Sequence, residues 1–348
     1  MKVLVTGAGG FIGSAVAQTL TRRGHDVRGI DAWIPQAHGA APMADSEIQP
    51  VDVRDPDGLA PLLDGVDVVC HQAAMVGAGV TVADLPLYAS HNDLGTAVLL
   101  AAMASAGVDR LVLASSMVVY GDGAFRCAVH GAQPSRARRR EALDAGDFEV
   151  GCPVCGAPMQ WRLVDEDAPL TPRSSYAASK LAQEHYAAAW GRQLPGSTVT
   201  LRYHNVYGSG MPRDTPYSGV AAIFRSAIEK GESPRVFEDG AQMRDFVHVT
   251  DVAEANALAV ERVAEAVPDS FSAYNVCSGQ PISIADVAAM LARGAASEIV
   301  PTTTGQYRAG DVRHIVASPE RAAAELGFNA AVSPARGLAE FATAPLRA

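Results

Sequence analysis

The segment Lys2-Val3-Leu4-Val5-Thr6-Gly7-Ala8-Gly9-Gly10-Phe11-Ile12-Gly13 decides the fold of this chain. A short β-rich run leads into closely spaced glycines, and these open a helical periodicity over Ile12–Arg23. Gly7 permits a tight turn, Gly10 lets backbone N–H groups close on a pyrophosphate, and Gly13 lets the helix pack on the strand. At Phe11 and Ile12 the helix N-terminus then faces the anion. A surface turn would account for the glycines singly, but not for their Gly-x-x-Gly-x-x-Gly placement between a strand and a helix.

Outward from this loop the same alternation continues. Runs at Asp26–Ile30, Val66–His71, Arg110–Ala114, Thr198–Arg202 and Tyr274–Cys277 read as strands. Helical patterns at Tyr88–Ala106, Ser175–Arg192, Gly219–Lys230 and Val252–Val263 separate them. Near-continuous apolar strands alternating with helices predict an α/β fold, a doubly wound parallel sheet of the Rossmann kind covered on both faces. The second strand ends at Asp31, where a carboxylate accepts hydrogen bonds from the adenosine ribose and repels a 2′-phosphate; this favours NAD over NADP, although Arg28 lies near. Asp52 and Val53 are positioned to hold the adenine, and Ala73 and Ala74 to line the dinucleotide path.

The 348 residues are 48% hydrophobic and 19% charged, enough for one large core or two smaller ones. That excludes a disordered or fibrous chain. With 28 Lys and Arg against 38 Asp and Glu, the net charge of −10 supplies no general field for nucleic acid or an anionic membrane. An anionic partner must therefore be held by local groups. The glycines interrupt the N-terminal apolar run too early for a secretory signal, and Leu94–Val108 is shorter than the ~20 residues that cross a bilayer. Five cysteines are too few for a disulfide framework and fit a reducing cytoplasm.

Two further groups carry chemistry. Tyr176 and Lys180, four residues apart, share one helix face, where an ammonium lowers the pKa of a phenol and makes it a usable base. Ser115-Ser116 ends the strand beginning at Arg110 and supplies a hydroxyl for the oxygen being oxidised. The glycine loop, the strand-end Ser and Tyr-x-x-x-Lys together resemble the short-chain dehydrogenase/reductase superfamily. Its extended branch of nucleotide-sugar epimerases and dehydratases resembles the chain further in Ser116-Met117-Val118-Val119-Tyr120-Gly121, in Asn205, and in Arg244-Asp245-Phe246-Val247-His248-Val249-Thr250-Asp251-Val252. Arg308-Ala309-Gly310-Asp311 is similar to its second phosphate-binding stretch.

The resemblance implies Ser116, Tyr176 and Lys180 as catalytic residues, with Tyr176 and Lys180 also touching NAD. It implies Ser116, Asn205, Arg244 and Arg308 as contacts to a nucleotide-diphosphate sugar. Two forked guanidiniums would explain how an acidic chain holds a diphosphate. Dehydratases of the branch place Asp-Glu after the strand-end residue; here Met117 and Val118 stand there, and neither moves a proton. What remains is an NAD-dependent 4-epimerase (an isomerase) similar to the UDP-galactose type, working through a transient 4-keto sugar. A 4-ketoreductase would instead consume NAD(P)H, and a non-catalytic NAD-binding module would turn nothing over. Sugar selectivity is expected around Asn205, Met211–Tyr217 and Ile315, and the resemblance implies a homodimer formed through two helices of the α/β domain.

The pattern breaks at 122–163, where no long helix or strand is legible, so this segment reads as inserted. Within it Cys127-x-x-His130 and Cys152-x-x-Cys155 offer three thiolates and an imidazole with the spacing of a closed structural zinc site, a zinc-ribbon-like element. The cluster Arg136, Arg138, Arg139, Arg140 could contact substrate phosphate, another subunit or only solvent, and solvent is expected. The expected division is an NAD-binding domain at 1–121, 164–207 and 246–279, and a smaller, mainly C-terminal substrate-binding domain at 208–245 and 280–348.

Overall fold

A computed structural model describes residues 1–38, 47–77, 82–213, 219–308 and 310–347. Tyr217, expected near the sugar, and Ala309 lie outside them. The central sheet has seven strands: β1 (Lys2–Thr6), β2 (Asp26–Asp31), β3 (Gln49–Pro50), β4 (Val68–His71), β5 (Arg110–Ser116), β6 (Ser197–Tyr203) and β7 (Phe271–Val276). They lie in the order β3-β2-β1-β4-β5-β6-β7, each parallel to its neighbours. The order reverses between β1 and β4, which opens a ligand crevice at the carboxyl ends of the strands.

Period-two alternation sorts the strand residues between two cores. Val3 and Val5 join Cys70, Val112 and Leu201 beneath the helices Phe11–Arg22 and Val249–Ala264. Leu4, Val69, Leu111 and Leu113 pack on the other face against helix Gly95–Ala106 and Trp190 of helix Ser175–Gln193. A third core joins helices Val220–Glu229, Ile284–Gly294 and Pro334–Phe341 around Tyr207 and Phe246. From beyond Gly279, Ala322, Leu326 and Phe328 pack into the first core, so the C-terminal block serves both layers.

Two departures from the sequence reading have local causes. The helix expected from Tyr88 is three pieces: Leu85–Tyr88, a π-helical turn at Ala89–Leu94, and Gly95–Ala106. The π turn brings buried Asn92 to Met75 N (2.7 Å), Met75 O (3.0 Å) and Ser179 Oγ (2.8 Å), tying this helix to the one carrying Tyr176. The 122–163 segment is not irregular throughout. Gly131–Gln133, Ala124–Cys127 and Gln160–Arg162 form an antiparallel sheet, strands too short to show periodicity. Phe125, Val150 and Met159 make its small core with Cys127 and Cys152. Among the described residues no helix is long and apolar enough to cross a membrane.

Candidate active site

The glycine loop is built to a tolerance of one hydrogen atom. Gly7 has φ of 69°, and a Cβ there would stand 2.7 Å from Ala73 N. One at Gly13 would stand 2.0 Å from Gly7 O. The helix Phe11–Arg22 begins with no side-chain cap and no acidic residue in its first turn, so its leading N–H groups remain for an anion. Asp31 is fixed beside them: Oδ2 accepts from Gly9 N (3.0 Å), Oδ1 accepts from Trp33 N (2.9 Å), and His38 Nε2 lies 3.0 Å from Oδ1. Arg28 donates instead to Leu62 O (3.0 Å) and Asp64 O (3.2 Å), so its charge is committed away from Asp31.

Ala73 N donates to Thr6 Oγ1 (3.1 Å) and, with Ala74, carries the chain past the loop at the end of β4. Asp52 and Val53 are less free than their position implied. Arg54 grips the Asp52 carboxylate, with Nη2–Oδ2 at 2.6 Å, and holds it below its usual pKa despite partial burial. Val53 is buried in the second core, which leaves only its backbone to a ligand. Arg347, from the far end of the chain, donates from Nη1 to Gly9 O (2.6 Å) and hydrogen-bonds through its backbone to Met211 O (3.0 Å). No local pattern announces that contact.

Ser116 ends β5, where its Oγ accepts weakly from Val118 N (3.4 Å). Tyr176 opens helix Ser175–Gln193, capped by Ser174, whose hydroxyl accepts from Ala177 N (3.1 Å). Lys180, one turn on, donates from Nζ to Ala114 O (3.0 Å), which locks it against the same strand end. Burial pushes the Tyr176 phenol up to about 12 against a lowering hydrogen bond with Ser116, and pulls the Lys180 ammonium down to about 7 against the attraction of Glu184. The ring of Tyr88 stands 5.9 Å from that of Tyr176.

Beneath the triad, Ser115 Oγ donates to Glu184 Oε1 (2.5 Å), and Arg202 pairs with Glu184 (2.8 Å) while donating to the Tyr120 hydroxyl (2.9 Å). Tyr120 in turn donates to Asn275 Oδ1 (2.7 Å). This buried lattice fixes the strand end against the helix, and sequence spacing gave no sign of it.

A cavity of about 510 Å³ opens beside this centre, with Asn205, Phe237, Glu238, Arg244, Arg308 and Asp311 in its walls. Asn205 Nδ2 donates to Asp245 O (3.1 Å) and lies 3.8 Å from Met117 Sδ, which links the cavity to the residue after Ser116. Arg244 is mounted on carbonyls: Nη1 donates to Met243 O and Arg313 O (2.9 Å each), Nη2 to Val312 O (2.6 Å). Burial lowers it to about 10, so it remains cationic at neutral pH. Arg308 lies over the Phe237 ring at 5.2 Å. The structure therefore brings the two arginines and Asn205 together, next to Ser116, Tyr176 and Lys180 but not in the same wall.

In the insert, the ligand atoms of Cys127, His130, Cys152 and Cys155 all lie within 4.8 Å of one another. The separations Cys127 Sγ–Cys155 Sγ (3.8 Å), Cys127 Sγ–His130 Nδ1 (3.6 Å) and Cys152 Sγ–His130 Nδ1 (3.7 Å) fit the edges of a tetrahedron with Zn–S bonds of about 2.3 Å. Backbone N–H groups of His130 and Val129 aim at Cys127 and draw its thiol down to about 6; those of Cys155 and Val154 hold Cys152 low against burial. Gly131 and Gly156 follow the two pairs with φ of 71° and 75°, the left-handed turns that close each knuckle. Arg138 is not solvated as expected: it is buried in an ion pair with Glu238 (2.7 Å).

Comparison with known proteins agrees with this geometry. The sequence matches the NAD dependent epimerase/dehydratase family over residues 3–138 and 153–277, and the gap falls inside the insert. A dTDP-L-rhamnose 4-epimerase of Burkholderia thailandensis is 35% identical over 98% of this chain and 94% of its own. The structure of a UDP-glucose 4-epimerase from Thermus thermophilus with NAD is 31% identical, with a TM-score of 0.74 and 98% of both chains covered. That of a UDP-glucose 4-epimerase from Thermotoga maritima with UDP-glucose has a TM-score of 0.79 at 25% identity, covering 98% of this chain and 97% of that one. The chain belongs to the NAD dependent epimerase/dehydratase family.

Proposed function

We propose that the protein is an NAD-dependent 4-epimerase of a nucleotide-diphosphate sugar. The observation that carries this reading is the composition of the strand end. Ser116, Tyr176 and Lys180 converge there, while the adjoining positions hold Met117, against Asn205, and Val118, which only lends its N–H to Ser116. The nearby carboxylates are committed elsewhere, Glu184 to Arg202 and Glu166 to the backbone of Asn275. Among the described residues the site can thus move one proton at one oxygen, and the positions after Ser116 supply no acid and base pair for dehydration.

NAD fits the crevice: the glycine cradle leaves no room for a Cβ at Gly7 or Gly13, the helix start is uncapped, and Asp31 is oriented for the ribose. Phe11, Ile12 and Gly13 offer backbone N–H groups, with Ala73 and Ala74 on the opposite side. When bound, NAD supplies reversible hydride acceptance at C4. Tyr176 removes the proton of the 4-hydroxyl and later returns one, Ser116 holds that oxygen, and Lys180 orients the ribose. In the NAD-free protein burial holds the phenol protonated at neutral pH and Lys180, itself lowered to about 7, does not offset that push, so the lowering charge would come from the oxidised cofactor when NAD is bound. Arg244 and Arg308 hold the diphosphate while the 4-keto sugar turns to present its other face.

We further propose that Cys127, His130, Cys152 and Cys155 hold a structural zinc ion, supported by the tetrahedral spacing and the N–H groups aimed at the sulfurs. Four protein ligands leave no open position for chemistry. A homodimer through the helices at 85–106 and Ser175–Gln193 is supported by Leu85, Leu94 and Tyr186, which stay exposed on them. Incubation with UDP- and dTDP-hexoses tests the activity: conversion at C4 supports it, and a 4-keto-6-deoxy product would show that dehydration occurs after all.

A further inference from the structure

The insert leaves the chain after Gly121 and returns before Tyr176, and a set of its polar contacts runs to the cavity wall. Arg138 donates from Nη2 to Asp311 O (2.8 Å) and from Nη1 to Phe148 O (3.0 Å), and pairs with Glu238 at 2.7 Å. Glu149, three residues before Cys152, accepts from Arg313 Nη2 (2.6 Å) and Nε (3.0 Å), and lies 3.1 Å from His314 Nε2. Fully buried Arg313 also pairs with Glu238 (2.8 Å) and Asp239 (2.7 Å). Glu238 thus bridges an arginine of the insert and an arginine of the substrate domain. The carbonyls of Val312 and Arg313 are the ones that seat Arg244, while Glu238, Asp311 and Val312 line the cavity themselves.

We propose that the insert is a positioning element for the substrate diphosphate: Glu149, through Arg313, and Arg138, through Asp311 and Glu238, fix the backbone frame on which Arg244 is mounted. The proposal rests on the reading of Arg244 as a diphosphate ligand. Its physical basis is that Arg138, Glu238 and Arg313 are buried and mutually paired, with partly exposed Glu149 closing the set on Arg313, so removing one partner leaves a buried charge less compensated and the frame must shift to relieve it. The partners of Arg138 are Phe148 O, Asp311 O and Glu238, and those of Glu149 are Arg313 and His314, so the expected effect is on binding rather than on chemistry. The cysteine and histidine cluster holds the other end of the same short segment, since Val150 and Cys152 sit in one small core two residues apart.

The test uses the full NAD-loaded protein and the variants Glu149→Gln and Arg138→Gln. Titration calorimetry with UDP, dTDP and GDP measures affinity without turnover, and steady-state kinetics separates KM from kcat. The expected result is that each variant weakens the preferred nucleoside diphosphate about tenfold and raises KM in step, with kcat and NAD content unchanged. A purely structural role would lower the melting temperature and leave the nucleotide Kd and KM unmoved; that result overturns the inference alone. A fall in kcat at constant KM also overturns it. If the unsubstituted protein binds none of the three nucleotides, the functional reading fails and the inference falls with it.

Discussion

Tyr176 carries the sharpest consequence at the scale of single residues. Replacing it by Phe removes the proton-bearing group while keeping the ring that packs near Tyr88, so NAD should stay bound and turnover should fall about a thousandfold, as measured by cofactor content and initial rate. Lys180 makes a prediction about pH. Its ammonium is pulled from 10.5 to about 7 by burial, so in NAD-free protein the folded state resists a proton that the unfolded chain keeps. The cost is full below the folded pKa and fades as pH rises through the window from about 7 to the unfolded value. Lys180→Met should therefore raise the melting temperature of stripped protein more near pH 6.5 than near pH 10; an equal shift at both would contradict the burial argument. The glycines, Ser116, Tyr176 and Lys180 were legible because strand, turn and helix period place them from local spacing alone. Arg347 against Gly9, and Glu149 against Arg313, join distant parts of the chain and left no such trace.

Among the elements, the glycine loop and the insert differ in what holds them. At Gly13 even a methyl group would meet the Gly7 carbonyl at 2.0 Å, so Gly13→Ala should cost the protein its NAD, readable as loss of the nucleotide from the purified material. The insert has a cluster of four Cys and His side chains and a core of a few residues. Metal analysis should return about one zinc per chain, and Cys152→Ser should lose it while keeping NAD; absence of stoichiometric zinc from the unsubstituted protein would contradict the assignment. The clustering of these four side chains was readable from Cys-x-x-His and Cys-x-x-Cys, because a knuckle is a local device. Its three short strands were not, since strands of three or four residues complete too few periods to register. The edge strand Gln49–Pro50 escaped for the same reason, and the π turn because it alters backbone winding rather than residue pattern.

For the whole molecule, the parallel sheet explains why residues as far apart as Gly7, Ser116 and Tyr176 meet: β1 and β5 end at the same edge, and the helix carrying Tyr176 packs against β5. The net charge of −10 is reconciled with an anionic substrate by local groups, Arg244 and Arg308 in the cavity wall and the uncapped helix start after the glycine loop. That arrangement supports a redox centre whose hydride leaves and returns within one substrate. The most direct measurement is NMR product analysis of single nucleotide sugars with purified protein and no added cofactor. The account predicts that one C4 epimer converts to a mixture of both, that the same mixture is reached from either side, and that no NADH accumulates. Turnover that requires stoichiometric NADH or NADPH, or a product with water removed, would contradict it.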